Sequence, residues 1–190
     1  MSWQVLSTTF DQLNVSQQNW NDIYNTGGWA DLGSGPGSRA YVNVDLVSYL
    51  SDFIQNNNIL SFLDLGCGDL QWVNGIFSNT FSYTGVDYCM NFFSDITANY
   101  PDQTFLNEDF MQTTQFSELV FVKDVIHHCM DSMVQVFNKI EELSTRFGMI
   151  VVPFQLKDDN SFITHVNNFG YSCAFEYVAD EKKCLFLKIK

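Results

Sequence analysis

Apolar residues recur along this chain at two periods, and the switches between them mark its elements. Val42, Leu46, Tyr49, Leu50, Phe53 and Ile54 stand three and four apart, which predicts a helix with one buried face. Ile59 to Leu65 is a short apolar run between helix-like stretches and predicts a buried strand. Ser82 to Val86, Thr104 to Leu106, Glu118 to Val122 and Met149 to Val152 read as further strands. Helical stripes lie between them. They are Trp72, Val73, Ile76 and Phe77; then Phe92, Phe93 and Ile96, stopped by Pro101; then Met133, Val136, Phe137, Ile140 and Leu143. A last helix carries Phe162, Ile163, Val166 and Phe169, with caps from Asp158 to Ser161 and a stop at Gly170. Tyr171 to Val178 and Cys184 to Ile189 alternate around a polar turn and predict a β-hairpin. Strands alternating with helices, closed by a hairpin, predict an α/β fold. It is a doubly wound, mostly parallel sheet with helices on both faces.

At 190 residues, 46% hydrophobic and 16% charged, the chain can bury a full core. One domain is expected over residues 41–190, preceded by an accessory or lid segment at 1–40. Gln18 to Tyr24 predicts a short helix there, with Trp20, Ile23 and Tyr24 on one side. No apolar run approaches the about 20 residues of a membrane span, and Met1-Ser2-Trp3-Gln4 lacks the features of a leader. Five cysteines without Cys-x-x-Cys spacing fit reduced thiols, so a cytoplasmic protein is expected.

Nine basic residues against 22 acidic ones give a net charge of −13. That balance disfavours a nucleic-acid partner, which calls for a basic stripe. Lys182, Lys183, Lys188 and Lys190 read instead as a solvated hairpin edge.

Candidate chemistry begins where the first strand ends, at Asp64-Leu65-Gly66-Cys67-Gly68-Asp69. Glycines at a strand-to-helix turn permit positive φ and let a ligand approach the backbone. The next strand ends in Asp87, 21 residues after Gly66, a spacing that suits a carboxylate on ribose hydroxyls. A dinucleotide fingerprint would need a glycine where Gln71 stands. Gly33-Ser34-Gly35-Pro36-Gly37-Ser38-Arg39 is no P-loop either: it lacks the Gly-Lys-Ser/Thr ending. It reads equally as a turn or as a lid whose amides or Arg39 reach a ligand carboxylate.

Asp64-x-Gly66-x-Gly68 with Asp87 resembles motif I and the ribose acid of class I S-adenosylmethionine-dependent methyltransferases. Trp20 with Ile23-Tyr24, Trp29 beside the Gly-Ser turn, and Cys67-Gly68-Asp69-x-x-Trp72 look like a bacterial and viral branch of that family. Leu70 departs from it, standing where a third glycine is common. The resemblance implies strand order 3-2-1-4-5-7-6 with strand 7 antiparallel, and S-adenosylmethionine as cofactor. It places Asp64 and the Gly66, Cys67 and Gly68 amides at the methionine end, and Arg39 and Lys123 are further cofactor-binding candidates. Asp87 would take the ribose and Tyr88 would lie beside the adenine. Asp109 would accept the adenine amine, with Phe110 against the ring.

Methyl transfer needs an aligned nucleophile and a dry site, and a base only where the acceptor must lose a proton. Lys123-Asp124-Val125-Ile126-His127-His128 supplies the catalytic candidates, Asp124 and His128. His127, His128 and Cys129 lack further spaced ligands, so no metal is expected. The Asn/Asp-Pro-Pro-Tyr box of nucleic-acid amino-methyltransferases is absent. The reading is therefore a methyltransferase acting on an oxygen or nitrogen of a small molecule, with a homodimer or protein partner left open. Alternatives are a non-catalytic binding subunit, an enzyme cleaving S-adenosylmethionine, and a nucleic-acid methyltransferase served by a basic partner.

Overall fold

Seven strands hydrogen-bond into one sheet in the order β3-β2-β1-β4-β5-β7-β6. They are β1 (Ser61–Leu65), β2 (Ser82–Asp87), β3 (Thr104–Asn107), β4 (Ser117–Lys123), β5 (Ser144–Pro153), β6 (Ser172–Val178) and β7 (Lys182–Ile189). β7 runs antiparallel to both of its neighbours, β5 and β6, and the remaining pairs are parallel. This is the order and orientation that the resemblance implied. The computed structural model describes residues 17–26, 33–73, 76, 77, 80–89, 91–178 and 182–190. Trp29, the side chain of Trp20 and the hairpin turn at 179–181 lie outside the described residues.

Helices cover both faces, as the stripes predict. Leu46, Leu50 and Ile54 of α2 (Val44–Asn56) and Ile96 of α3 (Phe93–Asn99) pack with Phe62, Tyr83, Phe121 and Leu185 on one face. On the other, Met133 to Leu143 of α4 (Met133–Leu143) and Phe162 and Val166 of α5 (Asn160–Asn168) pack with Leu63, Val120, Ile150 and Phe186. Helix α5 is capped by the Asp159 carboxylate, which accepts from Phe162 N at 2.8 Å. Helix α1 (Gln17–Thr26) precedes the sheet. No helix among the described residues is long and apolar enough to cross a membrane.

Two expectations are corrected. The crossover from β1 to β2 is not the helix predicted from Trp72, Val73, Ile76 and Phe77: its described residues form turns, closed by Val73 N to Leu70 O at 3.2 Å and Ile76 N to Val73 O at 3.0 Å. Trp72, Val73 and Ile76 are nonetheless buried, so the apolar spacing reports burial and not helix. The strand predicted at 149–152 runs from Ser144 to Pro153, because β4 pairs with it from Ser144 and β7 pairs with it to Pro153. Pairing on both edges extends it through residues whose local pattern is not strand-like.

Phe121 lies at the middle of β4, fully buried, with Phe62 and Trp72 at 5.5 and 5.2 Å between ring centroids. Phe121→Ala is expected to destabilise the protein by about 3–5 kcal/mol in urea denaturation. A loss below about 1 kcal/mol would contradict this packing.

Candidate active site

The carboxyl ends of β1, β2 and β4 converge on one loop. After β1 the chain turns through Gly66, Gly68 and Leu70, with φ of 79°, 59° and 59°. Leu70, where a third glycine is common, takes the same left-handed conformation, and its side chain is buried beneath the loop. The amides of Gly66 and Cys67 both donate to Val86 O, at 2.8 and 3.1 Å. A Cβ on Gly66 would stand 2.4 Å from Val125 Cγ2, so no other residue fits between β1 and the segment after β4.

Two carboxylates flank this loop, Asp64 buried and Asp87 half-buried. Asp87 accepts from Gly68 N at 2.9 Å and from Cys89 N at 2.8 Å, one bond to each oxygen. Burial pushes its pKa up to about 6, against those amide bonds. Asp64 is 1% exposed and accepts from Tyr83 Oη at 2.7 Å through Oδ2. Its Oδ1 has no hydrogen-bond partner among the described residues. Burial pushes Asp64 up to about 7, against the Tyr83 bond and the Lys123 ammonium. A group that brought positive charge or donors to these two acids would relieve both costs. Cys67 is buried beside them, and burial keeps its thiol protonated.

The segment before the sheet closes over the same loop, through a Ser34–Asp69 pairing that sequence reasoning missed. Asp69 and Ser34 cap each other: Ser34 N donates to Asp69 Oδ2 at 2.9 Å, and Asp69 N donates to Ser34 Oγ at 3.1 Å. Tyr24 Oη lies 3.1 Å from Ser34 Oγ. A Cβ on Gly33 would fall 2.2 Å from Asp69 Oδ2, and one on Gly68 would fall 2.5 Å from Ser34 Oγ. Helix α1 reaches the β2 end, where Cys89 Sγ donates to Asn21 Oδ1 at 3.0 Å and Asn91 Nδ2 donates to Asn21 O at 2.8 Å. Gly37 O accepts from Lys123 Nζ at 3.2 Å. The Gly-Ser turn is thus a wall of the site. Arg39 is half-buried at its end, and its carbonyl accepts from Asn43 Nδ2 at 2.8 Å.

At the end of β4, Asp124 adopts φ 56° and lies between two lysines. Lys123 Nζ donates to its Oδ2 at 2.6 Å, and Lys183 Nζ reaches both oxygens at 2.9 Å. Burial alone would raise the Asp124 pKa, but the ammoniums of Lys123 and Lys183 outweigh it and hold the carboxyl well below its usual range. Lys183 was expected at a solvated edge; its side chain is 4% exposed instead. It alternates with Leu185 and Leu187 on a buried face of β7, and that period-two pattern was the signal that could have found it. Ile126–His128 form a 3₁₀ turn that carries both histidines, with ring centroids 3.9 Å apart. Burial, then His127, holds His128 well below the ordinary imidazole pKa, so it is neutral at pH 7.

Asp109 follows β3, half-buried, and accepts from Met111 N at 2.9 Å. It lies near Cys129, whose thiol is pushed up to about 11 by burial and then by Asp109. Phe110 packs against the core below, and Tyr88 is partly exposed after β2. Asp64, the glycine loop and Asp87 therefore form one cluster, and Lys123, Asp124 and His128 form a second beside it. Asp109 and Phe110 border the second.

Comparison with known proteins bears on this arrangement. A family described as "Methyltransferase domain" matches residues 63–152, from within β1 to the end of β5. That match indicates a methyltransferase that uses S-adenosylmethionine. The fold is shared with magnesium protoporphyrin IX methyltransferase from Synechocystis PCC 6803, solved with bound S-adenosylmethionine. The two align at TM-score 0.70 and 13% identity, over 94% of this chain and 100% of that one. The 1,6-didemethyltoxoflavin-N1-methyltransferase of Burkholderia thailandensis aligns at TM-score 0.65 and 12% identity, over 92% of this chain and 86% of that one. The N-methyltransferase NodS from Bradyrhizobium japonicum WM9 aligns at 0.60 and 13%, over 77% and 93%. No curated protein matches the sequence.

The raised pKa of Asp64 makes a signed prediction for the unliganded methyltransferase. Its proton is bound more tightly folded than unfolded. The stability this gives is complete below the unfolded carboxyl pKa and is lost as pH rises through about 7. Asp64→Asn is expected to match the parent near about pH 4 and to exceed it by up to about 4 kcal/mol near about pH 8. Denaturant titrations of both proteins across that range check it, and a pH-independent difference would count against it.

Proposed function

We propose that this methyltransferase acts on an oxygen or nitrogen atom of a small molecule, with S-adenosylmethionine held at the β1 and β2 ends. The single observation that carries the reading is the pair of acids, Asp64 buried and Asp87 half-buried, around a left-handed glycine loop. One of them keeps an unpartnered oxygen. These residues fit the cofactor. The Asp64 Oδ1 is an acceptor for the cationic methionine end, the Gly66 to Gly68 backbone lets that part approach, and Asp87 suits ribose hydroxyls in charge-assisted bonds. Tyr88, Asp109 and Phe110 would border the adenine, and Lys123 and Arg39 would serve the methionine carboxylate. When bound, the cofactor supplies a methyl carbon activated by its sulfonium.

The remaining work falls to the chain. The Ser34–Asp69 pair and the Gly37–Lys123 bond hold the N-terminal turn against the loop and keep water out. His128, neutral at pH 7, is the base that accepts the acceptor's proton at a ring nitrogen. Asp124 is too acidic for that role while two lysines hold it. It is a positioning residue, a fixed anion beside the histidines that favours the imidazolium formed. The net charge of −13 supports a small molecule over nucleic acid. The relatives' own names include both small molecules and ribosomal protein L11, so the choice rests on this chain's charge.

Calorimetric titration with S-adenosylmethionine and S-adenosylhomocysteine tests the cofactor. Micromolar binding of both is expected, and Asp87→Ala should weaken each at least about 10-fold, the scale of one lost charged hydrogen bond. Failure of either ligand to bind the folded parent protein would end the enzyme reading. With an acceptor found by release of S-adenosylhomocysteine, His128→Ala should lower kcat by about 10²–10⁴-fold and leave cofactor affinity unchanged. An unchanged kcat would remove His128 as base.

A further inference from the structure

The β6–β7 hairpin at the sheet edge carries a cluster that methyl transfer does not use. Cys173, Glu176 and Cys184 each offer a ligand atom, and these atoms all lie within 4.8 Å of one another. Residues 173 and 176 are an odd number apart and in a regular strand would face opposite sides. A register shift between Cys173 and Phe175 removes that mismatch. Cys173 pairs with Phe186 and Glu176 pairs with Cys184, so all three side chains share the face of Phe186. Bulges of this kind re-aim a side chain, and this one assembles two sulfurs and a carboxylate on two hydrogen-bonded strands.

Glu176 is held in place from outside. Lys157 Nζ pairs with its Oε1, and Lys182 Nζ pairs with its Oε2 at 2.8 Å. Lys182 Nζ in turn stands 3.8 Å from the centroid of the Phe154 ring, with Lys157 Nζ at 5.2 Å. Cys184 is fully buried and Cys173 is exposed, so the cluster is anchored at one end and open to solvent at the other.

We propose that Cys173, Glu176 and Cys184 form a binding site for a thiophilic divalent cation, zinc in the first instance, with a fourth position open to water. Two thiolates and a carboxylate select zinc or cadmium over magnesium and calcium, which take oxygen ligands. Tetrahedral zinc, with bonds of about 2.0–2.3 Å, holds its ligand atoms about 3.5–3.8 Å apart. Rotation of the exposed Cys173 side chain toward the fixed Glu176 closes the small remaining gap. With both thiols ionised and zinc bound, the centre carries one net negative charge, and Lys157 and Lys182 lie where they compensate it. The bound ion would tie the outermost strand to β7. The site was overlooked because its spacing, Cys173-x-x-Glu176 followed by Cys184, has no second Cys-x-x-Cys pair to announce it.

The test uses the reduced full chain. Zinc is titrated by calorimetry, and cadmium is titrated in parallel by its ultraviolet thiolate charge-transfer band. One equivalent of each is expected to bind, with no binding of magnesium at the same concentrations. Cys173→Ser and Cys184→Ser should each weaken binding by at least about 10-fold, and Glu176→Gln by a smaller factor. Cys173 is exposed, so its variant should melt like the parent, which keeps the test decisive if Cys184→Ser folds poorly. Cys129→Ala, beside the two histidines, should bind zinc like the parent. The proposal is overturned if no saturable binding occurs, if Cys173→Ser binds undiminished, or if Cys129→Ala abolishes binding. It is equally overturned if Cys173 and Cys184 prove to be joined as a disulfide and the reduced chain takes up no metal.

Discussion

The Asp87 carboxylate is the fixed point from which the site is built. Its two oxygens take the amides of Gly68 and Cys89, so the loop after β1 and the loop after β2 are set by one half-buried carboxylate. Backbone amides are obligatory donors, and Val86 O satisfies those of Gly66 and Cys67 but leaves that of Gly68 without a strand partner. The acid supplies that partner, and the cost is a half-buried charge whose pKa is raised to about 6. Asp64 bears a larger cost of the same kind one strand away. The fold therefore holds two acids under strain at the same strand ends. A cationic, hydroxyl-bearing ligand is what would release that strain.

From Asp87 the order spreads outward through hydrogen bonds. Gly68 leads to Asp69, Asp69 to Ser34, and Ser34 to Tyr24, whose ring lies 5.1 Å from Phe92 beside α3. The N-terminal segment thus touches the ends of β1, β2 and β4 through Ser34, Asn21 and Gly37. The Gly-Ser turn has Gly33 and Gly35 at positive φ, and its conformation is what lets it close on the glycine loop after β1.

Most of the sheet and its flanking helices were legible in the sequence, because burial on one face imposes a period of two or of 3.6 on the apolar residues. The acids at strand ends were legible for a related reason: topology brings the ends of parallel strands together, whatever lies between them. What escaped was decided by partners far along the chain. The crossover at 66–81 has a helical stripe, but its apolar residues are satisfied by burial in turns. Lys183 sits in a lysine pair that looks solvated, and only the pairing of β7 with β5 carries it to Asp124. Ser34 and Asp69 are 35 residues apart, and no local pattern links them.

Strand β7 joins the two chemical regions of the molecule. Successive residues of a strand face opposite sides, so Lys183 points to the face where Asp124 and Lys123 meet, and Cys184 points to the face of Glu176 and Cys173. Lys183 contributes one of the two charges that keep Asp124 ionised, and an anionic Asp124 favours a proton on His128. The position of Lys183 depends on β7 holding its register between β5 and the edge strand β6. Edge strands have one ladder instead of two and open more readily than central ones. Whatever fixes the hairpin at Cys173, Glu176 and Cys184 therefore also fixes the ammonium that sets the charge beside His128. The two faces of one strand give the outer edge of the sheet a physical route to Asp124 at the end of β4.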